Sequence, residues 1–382
     1  MVFFTEEQKK FCEWVRAFAL KEFSEGAKER AKLEYVTPEV MKKLAEAGLL
    51  ELGTSAKYAK HPKDYVTFGI AMEEVCKVDF TAMMVLLIQV LVYGLAEWMS
   101  DQLREEVLPA TSAGKRLLCF ANTEPDCGSD ATAIKTKAVR DGDSYTINGE
   151  KTSISGGMQS DAAIITARTN PSDGAKGITL FYVPLDLPAI SRSVFRDMGN
   201  ISAGRASLIF DEVRVPVTFR IGGEGEGFSK VMRTFDASRV LVGLSALALA
   251  ETSLAEAVEY TKTKTAFGNP LSRFEAVSFK LAEHATHLEA ARMLCYKALK
   301  LRDEGLSHSK EAAMAKWFAP TCAVEAIHDI LLIFGSSAYN EAHAVQQRWR
   351  DAISCQLGDG TAEIMKLIVA REMLGGKFGP NI

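Results

Sequence analysis

The 382-residue sequence has no C-x-x-C pair; its seven cysteines, Cys12, Cys76, Cys119, Cys127, Cys295, Cys322 and Cys355, lie far apart. An odd and scattered set excludes a disulfide framework and a zinc ribbon as working readings, and points to reduced thiols that mostly fill core positions. An excess of one charge is also missing. Against 49 Asp and Glu stand 45 Lys and Arg, a formal net charge of −4, which gives no basic footprint for nucleic acid or an anionic membrane. No run supplies the roughly 18 to 20 charge-poor apolar residues of a bilayer crossing, since the best stretch, Ala82 to Trp98, is interrupted by Gln89 and Glu97. The opening MVFFTEEQKKF lacks the basic region, apolar run and small-residue cleavage site of a secretory signal. A cytoplasmic protein without a membrane span is the expectation. Histidines number six, and His284 and His287 lie three apart without an H-E-x-x-H pattern or a third ligand, so no metal site is expected. Gly223-x-Gly225-x-Gly227 lacks the G-x-G-x-x-G spacing of a dinucleotide loop and reads as a linker.

What is present is the balance of a globular chain, 47% hydrophobic and 25% charged, long enough for about two to three packing units. Its patterning divides it into three. Through residues 1–116 apolar residues recur at three and four, as in Phe11, Val15, Phe18, Ala19 and Val40, Leu44; Thr5 and Gln8 form a capping-box pattern, and Pro38 and Pro62 separate helices. Over 117–222 the period shortens to β-rich runs at Ser144–Asn148, Ala162–Ala167, Ile178–Val183 and Ser207–Phe210, bounded by turn clusters such as Asp141-Gly142-Asp143. Strands at this spacing without intervening helices predict an antiparallel barrel or sandwich. Long helical patterns return over 223–382, with breaks near Gly268 to Pro270, Gly305 to Ser307 and Gly335 to Ser337. The expected class is α+β multidomain: N-terminal helices, a central antiparallel β barrel, and a C-terminal four-helix bundle.

Five stretches occur in the order they take in one known family: Thr123-Glu124-Pro125-Asp126-Cys127-Gly128-Ser129-Asp130, Asn148-Gly149-Glu150-Lys151-Thr152-Ser153-Ile154-Ser155, Asp211-Glu212-Val213-Arg214-Val215-Pro216, Phe267-Gly268-Asn269-Pro270-Leu271, and Arg350-Asp351-Ala352 followed by Asp359-Gly360-Thr361. The chain resembles the acyl-CoA dehydrogenases, and the resemblance covers nearly its whole length. It implies FAD held between the β domain and the C-terminal helices beside an acyl thioester carried by CoA or by an acyl carrier protein. It also implies an electron acceptor such as an electron-transfer flavoprotein, and a homodimer or homotetramer in which one subunit clamps its neighbour's FAD.

Residue by residue, the resemblance places Thr123 and Ser129 against the flavin ring and pyrophosphate, and Ser155 beside the hydride-accepting nitrogen. Ser153 occupies a position where a Trp commonly packs on the flavin edge. Lys264, Phe267, Gly335 and Thr361 fall at further cofactor positions, and Asp236, Arg239 and Gly358 on the substrate side. The base that removes the α proton is implied to be Asp359, where the family usually has Glu; its shorter side chain reaches roughly 1 to 1.5 Å less far. The position of an alternative base is filled by Ser238, which is no carboxylate. An Asp before a helix can equally serve as its N-cap, so capping is the competing role for Asp359.

Other departures alter the site: Gly358 replaces an aromatic and Ser153 a Trp, which enlarges it, while Lys264, Leu332, Ser336 and Ala338 stand where Arg, Gln and glycines usually clamp the dinucleotide. Two function classes follow. One is an FAD-dependent α,β-dehydrogenase of acyl thioesters with a roomy site, or a nitroalkane-oxidase-like variant. The other is a relative with lost or weakened FAD that acts as a non-redox enzyme or a binding subunit.

Overall fold

The computed structural model describes residues 4–53 and 64–375; Pro62 lies outside them. In the N-terminal part are α1 (Glu6–Phe23), α2 (Ala27–Arg30), α3 (Pro38–Glu46), α4 (Tyr65–Val78), α5 (Phe80–Ala96) and α6 (Asp101–Ser112). The capping box forms as read: the Thr5 hydroxyl accepts from the Gln8 amide at 3.2 Å and Gln8 Oε1 accepts from the Thr5 amide at 3.0 Å. Asp64 and Asp79 cap α4 and α5 in the same manner. Helix α1 buries Phe11, Cys12, Val15, Ala19 and Phe23, the stripe set by its spacing, whereas α5 is buried nearly all round.

The β strands are β1 (Leu118–Ala121), β2 (Lys137–Asp141), β3 (Ser144–Ile154), β4 (Ala162–Arg168), β5 (Ile178–Pro184), β6 (Ile190–Val194), β7 (Ala206–Pro216) and β8 (Arg220–Ile221). They form one sheet in the order β6-β7-β3-β2-β4-β5-β8, with β1 on β4. Most pairs are antiparallel as expected, but β1 and β2 both pair parallel with β4. The reason is connectivity. After the β2–β3 hairpin the chain returns alongside β2 rather than β3, so β4 runs in the direction of β2. Strands β4 and β5 are largely apolar because both faces are covered: Ala163, Ile165, Phe181 and Val183 enter the inner core with Tyr145 and Phe210, while Ile164, Leu180 and Tyr182 meet Val92, Leu95 and Val107 of α5 and α6.

The third part holds α7 (Gly227–Thr263), the short ribbon β9 (Thr265–Ala266) and β10 (Asn269–Pro270), α8 (Glu275–Asp303), α9 (Ser309–Phe334), α10 (Ala344–Leu357) and α11 (Ala362–Leu374). The expected bundle is built from three long helices, and its last member is interrupted at residues 358–361, so α10 and α11 both pack on α9. Its apolar face shares one core with the N-terminal helices. At Gly69 of α4 an added Cβ would lie 2.7 Å from Leu299 and 2.9 Å from Leu244, so glycine lets three helices approach closely there. One expectation needs correcting. The stretches Gly227–Thr263 and Ser309–Tyr339 are long and apolar enough to cross a membrane by length and composition, and 72% of the apolar window of the first is buried inside the protein. Helix α7 is apolar on most sides because α4, α5, α8, α9 and α10 surround it. All seven cysteines are free and buried.

Candidate active site

Between α10 and α11 the chain makes one turn in unusual backbone geometry: Gly358 closes α10 with φ −64°, then Asp359 has φ 56° and Gly360 φ 108°. A non-glycine residue in the left-handed region is uncommon and costs on the order of 1 kcal/mol or more, so the surroundings must hold it there. Two buried cations do so. The Arg239 Nε donates to the Asp359 carbonyl at 3.2 Å and the Lys316 Nζ to the Gly360 carbonyl at 3.1 Å. The Asp359 carboxylate itself is partly exposed and has no hydrogen bond or ion pair to any described residue. The capping role falls to Thr361, whose hydroxyl accepts from the Ile364 amide at 3.5 Å. Asp359 is therefore no helix cap, and Thr361, read as a cofactor residue, already has its hydroxyl engaged.

Helix α7 supplies the wall beside this turn. Arg239 is 5% exposed, lies over the Phe235 ring at 5.5 Å and bonds Asp236 at 3.1 Å; Phe235 in turn meets Phe120 of β1 edge-on at 5.9 Å. These contacts join the β domain to the Asp359 turn. The other oxygen of Asp236 accepts from the Ser309 hydroxyl at 2.5 Å, so both oxygens are occupied and this carboxylate orients Arg239. Ser238 is fully buried and its hydroxyl bonds the Phe235 carbonyl of its own helix. Neither α5 residue nearest full exposure is polar: Leu87 and Leu91, one turn apart, are the partly buried side chains of an otherwise enclosed segment.

On the β side, the Thr152 amide donates to the Thr123 carbonyl at 2.8 Å, which sets the Thr123 loop against the end of β3. Ser153 takes φ 60° at an irregularity where β3 slips in register against β7. The hydroxyls of Thr123, Ser129, Ser153 and Ser155 are exposed or partly so, and none has a protein partner among the described residues. Free hydroxyls on a glycine-containing loop and a strand end are the donor set a flavin ring and pyrophosphate require; these residues fit FAD.

The remaining cofactor positions lie elsewhere. Lys264 ends α7, Phe267 and Gly268 turn the β9–β10 ribbon, and Gly335 ends α9; Tyr260 and Phe334, with rings 4.6 Å apart, tie the two helix ends together. From Asp236 to Lys264 along α7 is about 40 Å at 1.5 Å per residue, farther than one FAD spans. Lys264, Phe267 and Gly335 are thus too far along α7 to contact a cofactor placed against Asp359 of the same chain, as a clamp on a second copy would require. Phe267 is 96% exposed.

Three supporting groups escaped the sequence reading. Lys316, 1% exposed, stands alone in an otherwise apolar stretch of α9, and that isolation was the available signal. Burial pulls its ammonium down, while Asp359 acts in the opposite direction. Glu124 and Lys151, inside the recognised motifs, form a buried pair at 2.8 Å, and Lys151 also donates to the Asn122 carbonyl and Thr166. Burial lowers the Lys151 ammonium to about 8 against the pull of Glu124. Glu124 in addition accepts from the Lys135 and Thr136 amides, so the pair fixes the loop bearing Thr123 and Ser129. Asp351 accepts from the Asn200 amide at 2.6 Å and Gln347 at 2.8 Å, docking the β domain on α10; burial pushes its carboxyl up to about 6. His284 bonds Asp329 at 2.9 Å, which accounts for one of the paired histidines.

Comparison with known proteins agrees with this geometry. Residues 5–115, 119–213 and 225–374 match the N-terminal, middle and C-terminal domains of acyl-CoA dehydrogenases respectively. An acyl-CoA dehydrogenase of Bacillus subtilis is 34% identical over 97% of this chain and 99% of its own. Among solved structures, butyryl-CoA dehydrogenase from Megasphaera elsdenii superposes with a TM-score of 0.92 at 32% identity, covering 97% of this chain and 99% of that one. A chain from work on the electron-transferring flavoprotein of Acidaminococcus fermentans gives 0.94 at 33%, covering 98% and 99%. With a free carboxylate on a strained turn, unpartnered hydroxyls on a loop and a strand end of the β domain, and likeness across the whole length, the chain belongs to the acyl-CoA dehydrogenase family of FAD-dependent flavoprotein oxidoreductases.

Proposed function

We propose that this protein catalyses α,β-dehydrogenation of an acyl thioester, with Asp359 as the base. The observation that carries the reading is the Asp359 carboxylate: it has no protein partner among the described residues, while the carbonyls beside it are bonded to Arg239 and Lys316. A carboxylate so presented can take the α proton of a thioester. When bound, FAD supplies the acceptor for the hydride that leaves the β carbon. Thr123, Ser129, Ser153 and Ser155 would hold it through their hydroxyls, and Lys264, Phe267 and Gly335 would contact the cofactor of a second copy. Arg239 and the apolar wall of Phe235 and Phe120 would orient the acyl chain and keep water from the reacting carbons.

The thioester is bound to CoA, as the likeness to butyryl-CoA dehydrogenase supports, or to an acyl carrier protein, and the loss of bulk at Gly358 and Ser153 favours a branched or cyclic acyl group. Electrons pass on to an acceptor such as an electron-transfer flavoprotein, supported by the Acidaminococcus likeness. The working assembly is a cytoplasmic homodimer or homotetramer, with domains at 1–116, 117–222 and 223–382. Purified protein should be yellow and should convert butyryl-CoA to the enoyl thioester with a redox dye as acceptor. A colourless protein that binds no added FAD in calorimetry would overturn the reading in favour of a non-redox role.

A further inference from the structure

We propose that Lys316 is a positioning residue for the base: with Arg239 it clamps the carbonyls of Asp359 and Gly360 and so sets where the Asp359 carboxylate sits. The inference rests on the reading of Asp359 as base and adds a residue from another helix. Lys316 is 1% exposed and donates to the Gly360 carbonyl at 3.1 Å. An ammonium buried at this depth is costly, and a neutral side chain of like volume would remove the cost. Its placement is thus explained by what it holds. Arg239, arriving from α7, bonds the preceding carbonyl at 3.2 Å and is itself fixed by Asp236 and the Phe235 ring. Two successive carbonyls of a left-handed turn are therefore held by cations from two helices. Both cations feel the Asp359 charge, but neither is within ion-pair distance of its carboxylate, which stays free.

The test compares holoenzyme carrying Lys316→Met with wild type and Asp359→Asn, using butyryl-CoA as the probe. Flavin reduction in Lys316→Met should slow about 10- to 100-fold, as expected for a base misplaced by about 1 Å, with butyryl-CoA affinity changed less than about threefold. The loss should fall on the reduction rate and not on affinity, a split that a general loss of packing would not produce. Independently of turnover, amide hydrogen exchange over residues 358–361 should quicken. Unchanged exchange over the turn, or a wild-type rate of flavin reduction, overturns the proposal. Full activity in Asp359→Asn instead sinks the base assignment, and hydrogen exchange still judges the clamp. If Lys316→Met does not fold, Lys316→Gln, which keeps a donor for Gly360 without charge, should retain protection of the turn and stay within about threefold of the wild-type rate; a rate lost with the turn still protected overturns the proposal.

Discussion

At the scale of single residues, the site depends on buried charges whose value differs with their partners. Lys151 and Glu124 meet at 2.8 Å with exposures of 0% and 5%. Removing one member of such a pair leaves the other uncompensated and costs about 3–5 kcal/mol. Lys151→Met should therefore lower the urea midpoint and weaken FAD retention, because the Thr123 loop loses its anchor; the double variant Lys151→Met with Glu124→Gln should recover most of the stability. Asp351 behaves in the opposite sense. Burial raises its folded-state carboxyl from an ordinary 3.8 to about 6, so between these values the folded protein binds the proton more tightly than the unfolded chain does. Its contribution to stability accordingly grows as pH falls from 7 through 6 toward 4. Asp351→Asn, which can still accept from the Asn200 amide, should show a flatter melting temperature across that interval than wild type, measured by calorimetry at several pH values.

Elements carry the next level. Strand β3 bends where Gly149, at φ 149°, runs against β2: a Cβ there would lie 2.7 Å from the Thr136 Cα and 2.5 Å from its hydroxyl. Gly149→Ala should destabilise by more than about 1 kcal/mol and release Thr152 from Thr123, seen as a lower melting temperature and easier loss of FAD. Helices were legible because their stripes repeat locally: Phe11, Val15 and Ala19 announce the buried face of α1, and Ala82 to Trp98 the enclosed α5. The parallel pairing of β4 was not, since strand neighbours are chosen by the return path of the chain and not by composition. The apolar character of α7 was likewise overlooked as span-like, because its charges are dispersed through a 37-residue helix. Motif residues such as Thr123, Ser155 and Asp359 stood out by resemblance. Lys316 and Arg239 as holders of the turn were hidden, because the bonds they make are to backbone carbonyls, which no sequence pattern encodes.

For the whole molecule, the account makes the catalytic unit larger than one chain. Asp359 meets α7 at Arg239, and Lys264, Phe267 and Gly335 lie at the C-terminal end of that helix or beyond, about 40 Å along at the helical rise per residue. Phe267 at 96% and Tyr339 at 88% exposure would be poor solvent-facing residues in a monomer. Light scattering at micromolar concentration should give a dimer or tetramer, and Phe267→Asp should shift it toward monomer with loss of flavin; a stable monomer that keeps its flavin would count against the shared clamp. The most direct test of the central claim is anaerobic stopped-flow reduction of the bound flavin by butyryl-CoA in wild type and Asp359→Asn. The account predicts rapid bleaching of the visible flavin band in wild type and a loss of about 10²- to 10⁴-fold in the variant, the range a general base contributes, with the flavin still bound. Bleaching at the wild-type rate in Asp359→Asn would contradict it.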